Sequence, residues 1–377
     1  MVGPSFERLA VMGGAYGNLQ ALAACVADAR ANQAEQLAFL GDAIGCCGHS
    51  EEVVRDIERD FSLLVAGNHE QQAVARSESC GCGYASAEDE AISCEAFQLA
   101  TASLSERSLE FLGTWPERRI VEFGGGRVLL CHGSPGFTSE FLYEVELDDL
   151  RLEAWLDEFD VRGFVCTHSG LPFVRHLRGG RFAVNCGVVG KADHDGDPAV
   201  HYALIDMPSP NQPASIEIRR VEYDHEAWAR RMEAAQIAPI FVEPVRTGVW
   251  TSGVSSLPLA ERHRFARATQ SSSERVRPEL LERTVHERVL LTLRELRLLS
   301  SSEVEETLAL FSANFPFFAP FHLASSVHVH VRVDDVTALP ERALLEHGAR
   351  LDHGRDGYVK YTFDGGLNLI SLFDRRR

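Results

Sequence analysis

The chain has 377 residues, 45% of them hydrophobic and 24% charged, with a formal net charge of −18. That is the composition of a folded globular protein, long enough for a large domain plus a smaller one. The acidic balance excludes a general nucleic-acid surface, no apolar run is long enough to span a bilayer, and residues 1–9 carry no secretory core, so the expectation is a cytoplasmic protein without nucleic-acid or membrane partners.

In chain order, residues 9–12 read as a buried strand closed by Gly13-Gly14. Asn18 is placed to cap a helix over 19–31 that carries Leu19, Leu22, Ala23 and Val26 on one stripe. A second strand over 37–40 ends at Gly41-Asp42, a helix covers 51–60, and a third strand over 61–66 ends at Gly67-Asn68-His69. The alternation resumes with strands over 127–131, before His132, and 163–166, before Thr167-His168. Strands over 181–184, 202–206 and 216–221 have antiparallel character. A helix over 225–235 and the segment 245–250 close a first domain, expected over 1–255. These elements predict an α/β fold, a sandwich of two sheets flanked by helices.

A helical connector over 256–310 follows, punctuated by Ser271-Ser272-Ser273 and Ser300-Ser301-Ser302 and strongly helical over 279–299. Its basic stretch, 275–297, mixes Glu with Arg at helical spacing and reads as a solvated face. Residues 311–377 form a smaller C-terminal α+β appendage: strand 327–333, helix 339–347, and strands 358–363 and 367–373 joined by a turn at Gly365-Gly366. It is expected to serve interaction, including homo-oligomer formation. His328 and His330 share one face of its first strand, with His322, His347 and His353 nearby in sequence, and a solvent-facing strand edge is the favoured reading over a metal site.

The nine cysteines are scattered through apolar runs, as reduced buried thiols are. Cys80-Gly81-Cys82 with Cys94 matches no common zinc spacing and is read as structural. The polar strand ends are more telling. Asp42, Asn68, His69, His132 and His168 each follow an apolar run, so their side chains can enter one crevice at the carboxyl ends of strands. A carboxylate, an amide oxygen and imidazoles suit a divalent metal.

Gly17-Asn18-Leu19-Gln20-Ala21-Leu22, Leu40-Gly41-Asp42-Ala43-Ile44-Gly45, Gly67-Asn68-His69-Glu70 and His132-Gly133-Ser134-Pro135 resemble successive motifs of the calcineurin-like metallophosphoesterases. Leu171-Pro172-Phe173, Val184-Asn185-Cys186-Gly187 and Tyr202-Ala203-Leu204-Ile205-Asp206 continue the series, and Trp250-Thr251-Ser252 with Leu257-Pro258 resembles a C-terminal extension of some members. The resemblance implies a four-layer β-sandwich flanked by helices and two adjacent metals that activate a water and hold a phosphoryl group.

Carried over position by position, that resemblance is asymmetric. One site keeps four ligands, Asp42, Asn68, His132 and His168, and the histidine used near the leaving group is His69. At the other site Gly14 stands for an aspartate, Tyr16 for a histidine and Gly170 for a second histidine, so three of four ligands are lost. One divalent ion (Mn, Fe or Zn) is therefore expected, with the second site empty and the space beside Gly14 and Gly170 taken by water. Cys46, Cys47, His49 and Cys166 are the nearest substitutes in sequence. Two functions follow: a mononuclear phosphatase or phosphodiesterase, or a pseudoenzyme that binds a phosphorylated small molecule or a protein partner.

Overall fold

The computed structural model describes residues 6–84, 87–209, 212–262, 264, 328–332, 349–353, 358–364 and 369–375. The chain divides into two compact units, Met1–Gly253 and Val254–Arg377. Among the described residues no helix is long and apolar enough to cross a membrane.

The first unit begins with β1 (Arg8–Met12), α1 (Leu19–Ala31), β2 (Gln36–Phe39), α2 (Ser50–Asp60) and β3 (Leu63–Leu64). Three helices follow, α3 (Asn68–Val74), α4 (Ala87–Thr101) and α5 (Glu106–Leu112), then the hairpin β4 (Arg118–Phe123) and β5 (Gly126–Cys131). After α6 (Asp149–Glu158) come β6 (Gly163–Cys166), β7 (Phe173–His176), β8 (Phe182–Asn185), β9 (Val200–Asp206) and β10 (Ser215–Val221). The helices α7 (His225–Ala234) and α8 (Pro239–Thr247) close the unit.

Two five-stranded sheets result, ordered β10-β9-β1-β2-β3 and β4-β5-β6-β8-β7. Strand alternation dictates how they stack. Leu9 and Val11 of β1, Val128 and Leu130 of β5, and Val165 of β6 meet in one apolar cluster between the sheets. The intervening Ala10 and Met12 turn to the other face, against Leu22 and Val26 of α1 and Val53 and Ile57 of α2. On the far side Leu129 and Phe164 pack on Leu152, Trp155 and Leu156 of α6. The order is helix, sheet, sheet, helix: the four layers expected. Each such side chain taken fully from water contributes about 1.5–3 kcal/mol.

The Asn18 side chain caps α1 by accepting from the Ala21 amide, but the buried stripe runs through Ala21, Leu22, Cys25, Val26 and Ala29, and Ala23 faces solvent. Only Leu63 and Leu64 of the expected third strand pair with β2. β8 is parallel to β6 and antiparallel only to β7, an edge strand the sequence pattern did not reveal. The parallel strands β1, β2, β5, β6 and β8 therefore deliver their carboxyl ends to one rim.

In the second unit α9 (Leu259–Arg262) is followed by a sheet of β11 (His328–Arg332), β12 (Ala349–His353), β13 (Tyr358–Asp364) and β14 (Leu369–Arg375), ordered β11-β14-β13-β12. β13 and β14 pair antiparallel, as the sequence suggests, while β12 was not expected. The expected helices over 279–299 and 339–347, the Gly365-Gly366 turn, His322 and His347 lie outside the described residues.

Candidate metal centre

The turn after β2 carries Asp42, in the left-handed region at φ 58°, and the turn after β6 carries His168 at φ 59°. These costly conformations aim both side chains inward. His132 follows β5 directly. Ligand atoms of Asp42, His132 and His168 all lie within 4.8 Å of one another, and all three residues are buried. His132 Nε2 is 3.3 Å from Asp42 Oδ2 and 3.0 Å from His168 Nδ1. Its Nδ1 donates to the Leu40 carbonyl at 2.5 Å, which leaves Nε2 as the inward-facing lone pair.

Asn68 opens α3 beside this triad. Its Nδ2 donates to the Cys80 carbonyl at 2.9 Å, and this fixes the amide so that Oδ1 is the acceptor left over. That Oδ1 is buried without a hydrogen-bond partner. An acceptor shut from water and left unmatched costs about 1–3 kcal/mol, and a cation relieves it. The donor set of carboxylate, amide oxygen and two imidazoles suits a divalent ion of the Mn, Fe or Zn class.

Glu70, within a quoted motif but given no role by sequence reasoning, organises the rim. Its Oε2 accepts from the Asp42 and Gly67 amides at 2.8 Å each, and its Oε1 from the Ala43 amide at 2.8 Å. The turns it joins are in contact: a Cβ on Gly41 would stand 2.1 Å from the Gly67 nitrogen, and one on Gly67 would stand 2.5 Å from Asp42 Oδ1. Only glycine fits both places. Across the crevice Asn185 does the same work, donating to the Thr167 carbonyl at 2.8 Å and to Ser169 Oγ at 2.7 Å while accepting from the Gly187 amide.

Burial alone pushes the Asp42 carboxyl up, but the imidazoles of His132 and His69 outweigh it and hold the group below the usual carboxylate range. Burial pulls the His69 imidazole down, while the Asp42 charge, Cys80 and the Ile44 carbonyl lift it further, to about 10. His69 Nδ1 donates to that carbonyl at 2.8 Å, and the ring lines an open pocket together with Asp42, His168, Tyr16 and Lys191.

The region beside Gly14 and Gly170 is built differently. A Cβ on Gly14 would fall 2.4 Å from Val188 Cγ1, and one on Gly170 3.2 Å from the Trp250 ring. Val188 and Trp250 thus stand close to the two glycines, and with Tyr16 and Gly170 they line the open pocket. The reason is packing: Trp250 is anchored by Nε1 donating to the Ala192 carbonyl at 2.6 Å, and Val188 is 2% exposed. Cys46 and Cys47 line the pocket, but His49 pairs with Glu52 at 3.2 Å and Cys166 packs on the α6 side, so neither reaches the triad.

A family model described as calcineurin-like phosphoesterase matches residues 8–202. The chain belongs to that family. Within it, the chain is 25% identical over 236 residues to the uncharacterized protein MJ0912 of Methanocaldococcus jannaschii, covering 58% of this chain and 88% of that one. Among solved structures it is similar to a metallophosphoesterase from Sphaerobacter thermophilus, with 24% identity, TM-score 0.51, and coverage of 64% of this chain and 99% of that one. The hypothetical protein PH1004 from Pyrococcus horikoshii OT3 gives 15% identity and TM-score 0.52, with the same coverage. Both likenesses bear on the fold. Calcineurin-like phosphoesterases typically bind divalent metals, and the crevice at the rim offers one set of candidate ligands, Asp42, His132 and His168.

Lys191, unremarked in the sequence, lies with Nζ 3.9 Å from the centre of the Trp250 ring on the pocket wall. Desolvation lowers its pKa to about 8, against a smaller upward pull from Cys46 and Cys47. No motif marked it, because its role comes from the arm at 250 folding back.

Proposed function

We infer that this family member holds one divalent cation on Asp42, Asn68, His132 and His168 and acts on a phosphate ester in the adjoining pocket. The buried, unmatched Asn68 Oδ1 beside the Asp42–His132–His168 triad carries this reading. When bound there, the cation supplies the positive charge that polarises a phosphoryl oxygen. Lys191 adds a second positive charge on the pocket wall for the anionic ester. His69 serves as the proton donor to the leaving oxygen through Nε2, and Ile44 fixes the ring by holding Nδ1.

The packing at Gly14 favours a second reading. With Val188 and Trp250 where a second set of ligands would project, conventional two-metal turnover is not supported, and the same crevice then serves to bind a phosphorylated ligand or a phosphorylated protein partner without rapid hydrolysis. Metal analysis of the full chain, paired with turnover of aryl phosphate mono- and diesters in manganese, separates the two. Bound metal at one equivalent, lost in Asn68→Ala, supports the mononuclear site; two tightly held equivalents on these ligands overturn it. Turnover that falls about 10²–10⁴-fold in His69→Ala identifies a hydrolase. Ester binding without turnover identifies the second reading.

A further inference from the structure

Beside Nε2 of His69 lies a second set of ligand atoms, and one of its cysteines, Cys82, lines the same pocket as Asp42. The ligand atoms of His69, Cys80 and Cys82 fall within 4.8 Å of one another, all three residues buried, and those of Cys80, Glu90 and Cys94 form an adjoining triad through Cys80. The chain builds this place from three elements: the first turn of α3, the loop after it, and α4. Gly81, at φ 65°, turns the loop so that both flanking sulfurs point inward.

One close approach in each triad has the length of a ligand-to-ligand edge, and Cys94 approaches only the Cys80 side. Cys80 Sγ and Cys94 Sγ are 3.9 Å apart, and His69 Nε2 is 3.2 Å from Cys82 Sγ. Around a tetrahedral zinc, sulfurs at about 2.3 Å from the ion stand about 3.8 Å from each other and about 3.5 Å from an imidazole nitrogen. His69 presents a lone pair there because its Nδ1 proton is engaged by the Ile44 carbonyl. The sulfurs also receive donors, as thiolates on a metal do. The Cys82 amide points at Cys80 Sγ at 3.3 Å, and Asn68 Nδ2 points at Cys82 Sγ at 3.4 Å.

We propose that His69, Cys80 and Cys82 form a three-ligand site for a thiophilic divalent cation such as zinc, distinguished by its sulfurs from the oxygen- and imidazole-rich centre at Asp42. The site does not depend on the phosphoester reading, and it meets the Asp42 centre through His69 and through Asn68, whose Nδ2 points at Cys82 Sγ. A cation on Nε2 occupies the lone pair that would otherwise carry the proton for a leaving group, so a loaded thiolate site withholds His69 from acid catalysis.

Cobalt(II) titration of the reduced full chain tests this, because sulfur ligation gives a thiolate-to-cobalt charge-transfer absorption that the Asp42 centre, which has no sulfur, cannot give. The expected result is an absorption that saturates near one equivalent, is displaced by zinc, persists in His132→Ala and is lost in Cys80→Ser. Cys82→Ser covers the case in which Cys80→Ser does not fold; it should weaken cobalt binding at least about tenfold. No charge-transfer absorption in the wild-type chain, or an undiminished one in either cysteine variant, overturns the site. Loss of metal at Asp42 with this absorption intact would count only against the phosphoester reading.

Discussion

Two halves of one crevice have taken opposite courses. On the Asp42 side, polar groups are buried at the expense of an unmatched acceptor and two residues with positive φ, and a carboxylate outside the cluster spends its hydrogen bonds holding the turns in place. On the Gly14 side, where the resemblance would put further ligands, Val188 and Tyr16 stand close to Gly14 and the Trp250 ring close to Gly170. A protein that needed neither half would be expected to fill both with apolar groups, since unmatched buried polar atoms are costly. The difference is what the proposed cation site on the polar half would produce.

The largest effect expected from breaking the comparison is at Asp42. Asp42→Asn removes the charge that faces His132 and should abolish metal retention outright, measured as metal per folded chain after gel filtration. Undiminished metal would mean the polar half is not the seat. Next is the attempt to restore the other half. Gly14→Asp, Tyr16→His and Gly170→His together should destabilise the protein, by about 1–3 kcal/mol for each overpacked position and about 1–2 kcal/mol for a side chain at each left-handed glycine. Adding Val188→Ala should recover part of that loss and allow a second metal to bind. A triple variant with an unchanged unfolding midpoint would show that the gap is open after all.

Glu70→Gln sharpens the comparison within the polar half. A charged acceptor serving three amides becomes a neutral one, and about 1.5–3 kcal/mol of stability should go with it. Metal affinity should fall about 10–100-fold, as expected for a partner that orients ligands without touching the ion. Calorimetry of unfolding and metal titration read the two effects separately. The smallest effect concerns Lys191. Its folded pKa, about 8, lies below the ordinary lysine value, so the ammonium is present below that pH and lost above it. Affinity for an inert phosphate-ester analogue should drop a few-fold as pH rises through about 8, and Lys191→Ala should flatten that dependence.

Much of this was legible in the chain. β1, α1, β2 and α2 announce themselves by period and cap, and Asp42, Asn68, His132 and His168 stand out because each ends an apolar strand inside a recognisable motif. What stayed hidden depends on contacts between distant residues. Val188 fills the space at Gly14 across more than a hundred residues, and Trp250 reaches Lys191 only because the arm after α8 turns back. The Cys80–Cys94 approach joins a loop to a helix, with a spacing that matches no compact zinc motif. Ala23 was misplaced for a local reason: several small apolar residues in α1 make its buried face ambiguous by pattern alone.

Asn68, His69 and Glu70 are consecutive residues in the first turn of α3, and Gly67 before them is pressed against Gly41. A helix rotates about 100° per residue. Inserting or deleting a single amino acid just after Gly67 would therefore swing all three side chains to new headings at once. The crevice tolerates exchange of residues far better than any change of chain length at this point, and length variants of this tripeptide in a library should behave as complete knockouts.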